Sequence, residues 1–317
     1  MRPYKPPPPV DALDMRLLRA MGTTPFAYGA RSLDAIKPAR LAERVGTTRQ
    51  TVEARLARLS ELGVLQGYQV WPNLRHLGLT WEIHHWKVPD PARKASAYGS
   101  LPLADGIVAV FSFLGPDLCV AIQSRNPEDR ARTLARVTEA VGGGRPATLW
   151  AREMPPVREP LTTLDWRILA ALRHDARRPL EGVAREAGVS VRTVKRRVAR
   201  MTAERAFDVT ANVALERSPY PIPFAFLFHF TPEGGRATAA ALLDLFDDRT
   251  IAAWVPWSAS LGHYDMSLYA RTPGEVEEMR DRALKVPGVA EVETLLYTGA
   301  RVESDWLDRA MAERLGR

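Results

Sequence analysis

The chain has 317 residues, 46% of them hydrophobic and 26% charged, with a net charge of +7. That length holds two ordinary domains or several small ones, and no apolar run approaches the ~18–20 residues that span a bilayer. Cys119 is the one cysteine, which excludes an intrachain disulfide and any multi-cysteine zinc site.

The N-terminus, MRPYKPPPPV, lacks the apolar stretch of a secretion signal and reads as a disordered Pro-rich arm over 1–10. A cytoplasmic protein is expected. LDMRLLRAM (13–21) opens the first helical segment, and GTTPFAYGARS (22–32) reads as a loop. LAERVGTTRQTVEARLARL (41–59) then places Ala42, Gly46 and Val52 at steps of four and six. A helix-turn-helix needs that pattern: a small residue at the crossing, a glycine at the turn and an apolar residue filling the gap. Thr48 stands where an N-cap oxygen starts the second helix. Val52, Leu56 and Leu59 form its buried stripe. GVLQGYQVWPN (63–73) is read as a short β-wing.

An apolar run, LGLTWEIHHWKV (77–88), reads as a strand, which sends His84 and His85 to opposite faces. IVAVFSFLGPDLCVAIQS (107–124) is β-rich, PEDRARTLARVTEAV (127–141) is an amphipathic helix and ATLWARE (147–153) a strand. MPPVREP (154–160) reads as a linker. The pattern then restarts. LDWRILAAL (164–172) and VAREAGVSVRTVKRRVARM (183–201) repeat the first copy, with Ala184, Gly188 and Val194 at the same steps and Ser190 as N-cap. PFAFLFHF (223–230) is a strand, a helix is expected near 234–247, and 251–270 reads as two strands around a turn. Residues 273–286 form a helix, 289–299 a strand and 302–315 a last helix.

The predicted fold class is α+β, with two winged helix-turn-helix domains alternating with two ferredoxin-like (β-α-β-β-α-β) domains. The expected bounds are 11–76, 77–155, 160–217 and 218–317. Charge follows this division: residues 13–77 and 164–212 each carry +5, leaving the rest of the chain at −3. A basic helix is ordinarily a solvated face. Two copies with one spacing, each in a cationic module, point instead to double-stranded DNA. Arg49, Gln50, Arg192, Lys195 and Arg196 are the expected groove contacts. Arg55, Arg58, Arg197 and Arg200 are assigned to phosphate contact or to support within the domain.

At these residues the sequence resembles the Lrp/AsnC family of feast/famine regulators, in which a winged helix-turn-helix is joined to a ferredoxin-like (RAM) sensing domain. The family's pattern is present as LDMRLL with LAERVGTTRQTVEARLARL, and again as LDWRIL with VAREAGVSVRTVKRRVARM. The resemblance implies a DNA-binding transcriptional regulator, not an enzyme, with no cofactor and no metal. It also implies an amino acid or other metabolite as effector, and sensing sheets that pair. In this tandem chain the two halves would pair as an intrachain pseudo-dimer, with a homodimer also open. The family's glycine-aspartate turn is seen as Gly115-Pro116-Asp117 and Gly262-His263-Tyr264-Asp265. Gly115, Asp117, Gly262, Tyr264 and Asp265, with Trp254 and Trp257, are therefore the expected effector site. The same domain plan also resembles siroheme decarboxylases, with His84, His85, His229, His263 and Tyr264 as candidate acids. Their His/Tyr/Arg-rich turn is replaced here by SFLGPD and SASLGHYD. No P-loop, GxSxG, HExxH or dinucleotide motif occurs.

Overall fold

The structure is a computed structural model that describes residues 10–23, 31–151, 154–214, 222–253 and 263–316. The Pro-rich arm, most of the 22–32 loop, and the expected site residues Trp254, Trp257 and Gly262 lie outside the described residues.

The first helical module comprises α1 (Ala12–Met21), α2 (Pro38–Val45) and α3 (Arg49–Glu61), and a strand, β1 (Leu65–Pro72), follows it. Asp11 and Asp14 close a capping box on α1. Gly46 ends α2 in the left-handed conformation, at φ 69°, and Thr48 caps α3 through the Thr51 amide. The matching module has α6 (Thr163–Leu172), α7 (Leu180–Ala187), α8 (Val191–Ala203) and β6 (Phe207–Val213). Gly188 turns at φ 71° and Ser190 caps α8 through the Thr193 amide. Val52, Leu56, Leu59, Val194 and Met201 are buried in one core that spans both modules. Each such side chain contributes roughly 1.5–3 kcal/mol.

The expected wing is corrected here. β1 does not fold into a hairpin; it pairs antiparallel with β6, Tyr68 opposite Ala211 and Val70 opposite Val209. A lone strand leaves a row of amides and carbonyls unpaired, and each module satisfies the other's. The ribbon and the shared core join the two helical modules into one body.

The remaining strands form one eight-stranded sheet in the order β5-β2-β4-β3-β10-β7-β9-β8. Its first four strands come from β2 (Thr80–Lys87), β3 (Ile107–Phe113), β4 (Asp117–Ser124) and β5 (Ala147–Ala151), with α4 (Pro91–Ser100) and α5 (Pro127–Ala140). The other four are β7 (Ile222–Phe230), β8 (Thr250–Ala253), β9 (His263–Ala270) and β10 (Val289–Val302), with α9 (Arg236–Leu245) and α10 (Pro273–Ala283). β3 and β10 join the halves, Phe111 opposite Ala300. α11 (Asp305–Arg314) packs back on the helical core through Trp306, Leu307 and Met311. Among the described residues no helix is long and apolar enough to cross a membrane.

One face of the sheet is lined by the helices. In the first half Trp86, Val110, Leu118 and Val120 pack there, and in the second Phe224, Phe226, Phe228, Met266 and Leu268. Strand alternation sends the intervening residues to the other face. There Phe113 and Cys119 of the first half share a core with Ala225, Leu227 and Leu295 of the second.

Candidate functional site

That second face gathers the polar chemistry. His85, on β2, is 7% exposed, and its Nε2 lies 2.7 Å from Asp117 Oδ1 at the start of β4. Cys119, two residues on, is buried opposite His85 in the ladder. Burial pushes its thiol well above the usual range, and Asp265, Asp117 and Glu293 reinforce the shift. Asp265 and Glu293 belong to the second half. The two halves meet on this face, where Phe113 and Cys119 pack against Ala225, Leu227 and Leu295. Tyr297 completes the wall, with Phe113 at 4.6 Å between ring centres and its hydroxyl 3.0 Å from Ser267 Oγ. Burial raises the phenol, so both it and the thiol stay protonated at neutral pH.

Two features hold this geometry. Lys94 of α4 is 8% exposed and donates from Nζ to the carbonyls of Phe113 and of Gly115, the latter at 2.7 Å. Gly115 itself turns at φ 80°. The β3–β4 turn that presents Asp117 is thus fixed from the helix side. His84 points the other way, as alternation requires: its Nε2 is 2.8 Å from Glu82, which also accepts from Arg130 at 2.6 Å. Burial pushes its pKa down, against the pull of Glu82.

The expected effector residues separate. Asp117 and Asp265 reach the shared face. Tyr264 does not: it is 2% exposed and its ring lies 6.1 Å from Phe228 in the core beneath the helices. One step along a strand reverses a side chain, so Tyr264 and Asp265 cannot line one pocket. His229, on β7, is half-buried opposite His263 in the ladder. The sequence offered His85 as one of five candidate acids, with His84 on the opposite face. The usable signal was its alternation with Asp117 across two strands.

The residues expected to meet DNA are placed as follows. Arg55 is bonded to Asp11 and Asp14, and Arg58 to Asp14 at 2.7 Å. Arg200 reaches Asp165 at 2.6 Å and Glu159 at 3.0 Å, and Arg197 lies 3.6 Å from Asp165. These four strap α3 and α8 to the helices that precede them. Arg49 pairs with Glu53 at 2.8 Å. Gln50, Arg192, Lys195 and Arg196 are exposed.

Residues 161–202 match the AsnC-type helix-turn-helix domain. No curated protein matches the chain. Two solved structures of the siroheme decarboxylase NirDL match it nearly end to end, one of them in complex with an iron-uroporphyrin III analogue. They have TM-scores of 0.58 and 0.56 at 12% identity, covering 96% of this chain and 99% of theirs. The Mycobacterium tuberculosis leucine response regulatory protein matches 44% of the chain at 21% identity and a TM-score of 0.35. The expectation of a regulator that is not an enzyme is overturned by this span. Both structures that share the fold over 96% of the chain are of a siroheme decarboxylase. The chain therefore carries an AsnC-type helix-turn-helix domain inside a fold that it shares, over 96% of its length, with siroheme decarboxylase NirDL.

Proposed function

We propose that this chain is a decarboxylase acting on a carboxylated tetrapyrrole, with its reaction centre on the face shared by the two halves of the sheet. The observation that carries the reading is the His85–Asp117 pair, recessed on that face at 2.7 Å, in a fold similar over 96% of the chain to a siroheme decarboxylase's.

The chemistry needs a proton donor. When an acetate arm on a pyrrole loses CO₂, the bond from the methylene carbon to the carboxyl carbon breaks. Its electron pair passes to the methylene carbon and is shared with the ring, and a proton must then reach that carbon. His85 is placed to supply it, and Asp117 orients the ring through the 2.7 Å contact at Nε2. Water restores the proton afterwards. Asp265 and Glu293 add a second effect. Departure of CO₂ removes a negative charge from acidic surroundings, which favours product over substrate.

The two halves are not equivalent in this role. Asp265 corresponds to Asp117 by its glycine turn and Ser267 to Cys119. The ladder partner of Cys119 is His85, while that of Ser267 is Ala225. The first half alone pairs its aspartate with a histidine from that ladder position. We read the chain as two fused units, 11–155 and 160–317, paired as an intrachain pseudo-dimer with one proton-donating side. The helical modules, strapped internally and joined by the β1–β6 ribbon, serve as its frame.

The test is anaerobic incubation with siroheme, followed by mass spectrometry for stepwise loss of CO₂. Turnover that vanishes in His85→Asn, with the tetrapyrrole still bound, supports the reading. No turnover and no spectral change on adding iron-uroporphyrin III would sink it.

A further inference from the structure

A second site lies at the far end of the first half's strands, where Gln123 stands six residues along β4 from Asp117, about 20 Å at the usual rise. A cavity of about 530 Å³ opens between α5, the loop before β3, the ends of β2 and β4, and α11. Arg125, Arg132, Arg136 and Arg309 line it, against three carboxylates, Asp105, Asp129 and Glu313.

The ion pairs in the cleft are loose. Arg125 reaches Glu313 at 2.7 Å, Arg132 reaches Asp129 at 3.2 Å, and Arg309 lies 3.7 Å from Asp105. Arg136 donates to the Asp105 carbonyl. The side chains of Arg125, Arg132 and Arg309 remain 56%, 72% and 64% exposed. Pairs so exposed are weak against solvent, and a guanidinium has five donors, of which these contacts use a small part.

We propose that this cleft binds a small multivalent oxyanion, a polycarboxylate or polyphosphate, through its four arginines. Its volume suits a metabolite rather than a macromolecule. Arg309 and Glu313 belong to α11, whose Asp308 holds the buried Arg173 at 3.0 Å. An occupant therefore clamps α11 between the sheet half and the helical core, and stabilises the full chain.

The experiment titrates the full chain with citrate, a polycarboxylate, and with pyrophosphate, by calorimetry and thermal melting. At least one probe is expected to bind and raise the melting temperature. Arg132→Gln with Arg309→Gln should weaken it about tenfold or more, as lost charge-assisted hydrogen bonds imply. Arg192→Gln with Lys195→Gln removes the same charge from α8 and should leave binding intact. Absence of binding by both probes, or equal loss in both double variants, overturns the site. Iron-uroporphyrin III binding is followed in parallel. Its loss in Arg132→Gln with Arg309→Gln would make the cleft part of the tetrapyrrole site and refute a separate one. Siroheme turnover is measured independently, so failure of the decarboxylase reading stays distinguishable.

Discussion

Arg173 is the most instructive residue to remove. It sits at the end of α6, 2% exposed, where the two helical modules and α11 meet. Its Nε lies 3.0 Å from Asp308, its Nη1 donates to Gln69 at 2.9 Å, and its guanidinium rests 4.8 Å from the centre of the Trp71 ring. Methionine keeps most of the volume and deletes the charge. Breaking a buried pair by removing one partner costs about 3–5 kcal/mol. Asp308 is one-third exposed, so water recovers part of that, and ~2 kcal/mol remains for the pair. The stacked cation adds about 1 kcal/mol. Arg173→Met should therefore lose about 3 kcal/mol, read from the midpoint of urea unfolding at neutral pH. The double variant with Asp308→Asn should lose less than the sum, with a coupling of about 1–2 kcal/mol. A midpoint for Arg173→Met within ~0.5 kcal/mol of the parent would refute the view that this cation joins the modules.

Other outcomes follow from the same structure. His85→Asn should lower turnover by about 10²–10⁴-fold while iron-uroporphyrin binding persists, since general acid catalysis is worth that much; equal loss of binding would point to a structural role instead. Lys94→Met strands the carbonyls of Phe113 and Gly115, and should cost about 1–3 kcal/mol and slow turnover through a loosened Asp117 turn; Lys94→Arg is the partial rescue. Gly288, at φ 90°, approaches the Thr238 side chain and the Gly234 backbone, so Gly288→Ala should destabilise by ~1–3 kcal/mol in the same unfolding assay. The acid side is set partly by Glu275. The Arg271 amide holds its carboxyl below the ordinary 4.5, against burial, with Arg249 assisting. A depressed carboxylate stabilises above its unfolded pKa and loses that contribution as pH falls through the folded value. Stability should therefore decline as pH falls below about 4.5, and the decline should be shallower in Glu275→Gln.

Local sequence determined the helix-turn-helix elements because their signals are local. Gly46 and Gly188 need a left-handed turn, Thr48 and Ser190 a cap, and the apolar stripes a period of 3.6. The strands of the sheet were legible as apolar runs for the same reason. Charge at the helix surface was legible too, but its use was not. Arg55, Arg58 and Arg200 read as phosphate contacts or as support within the domain, and α1 and α6 decide by placing Asp14 and Asp165 against them. Only tertiary structure could decide what lay far apart in the chain. β1 and β6 are more than 130 residues apart and complete one another, because an isolated strand must find a partner and nothing in 63–73 names it. Cys119 and Phe113 pack against Leu227 and Leu295 of the other half, and packing α11 on the helical core closes the arginine cleft from Arg125 to Arg309. Sequence spacing carries the periods of helix and strand. The meeting of the two halves is a property of their packed faces, and it places the His85–Asp117 pair on a shared face.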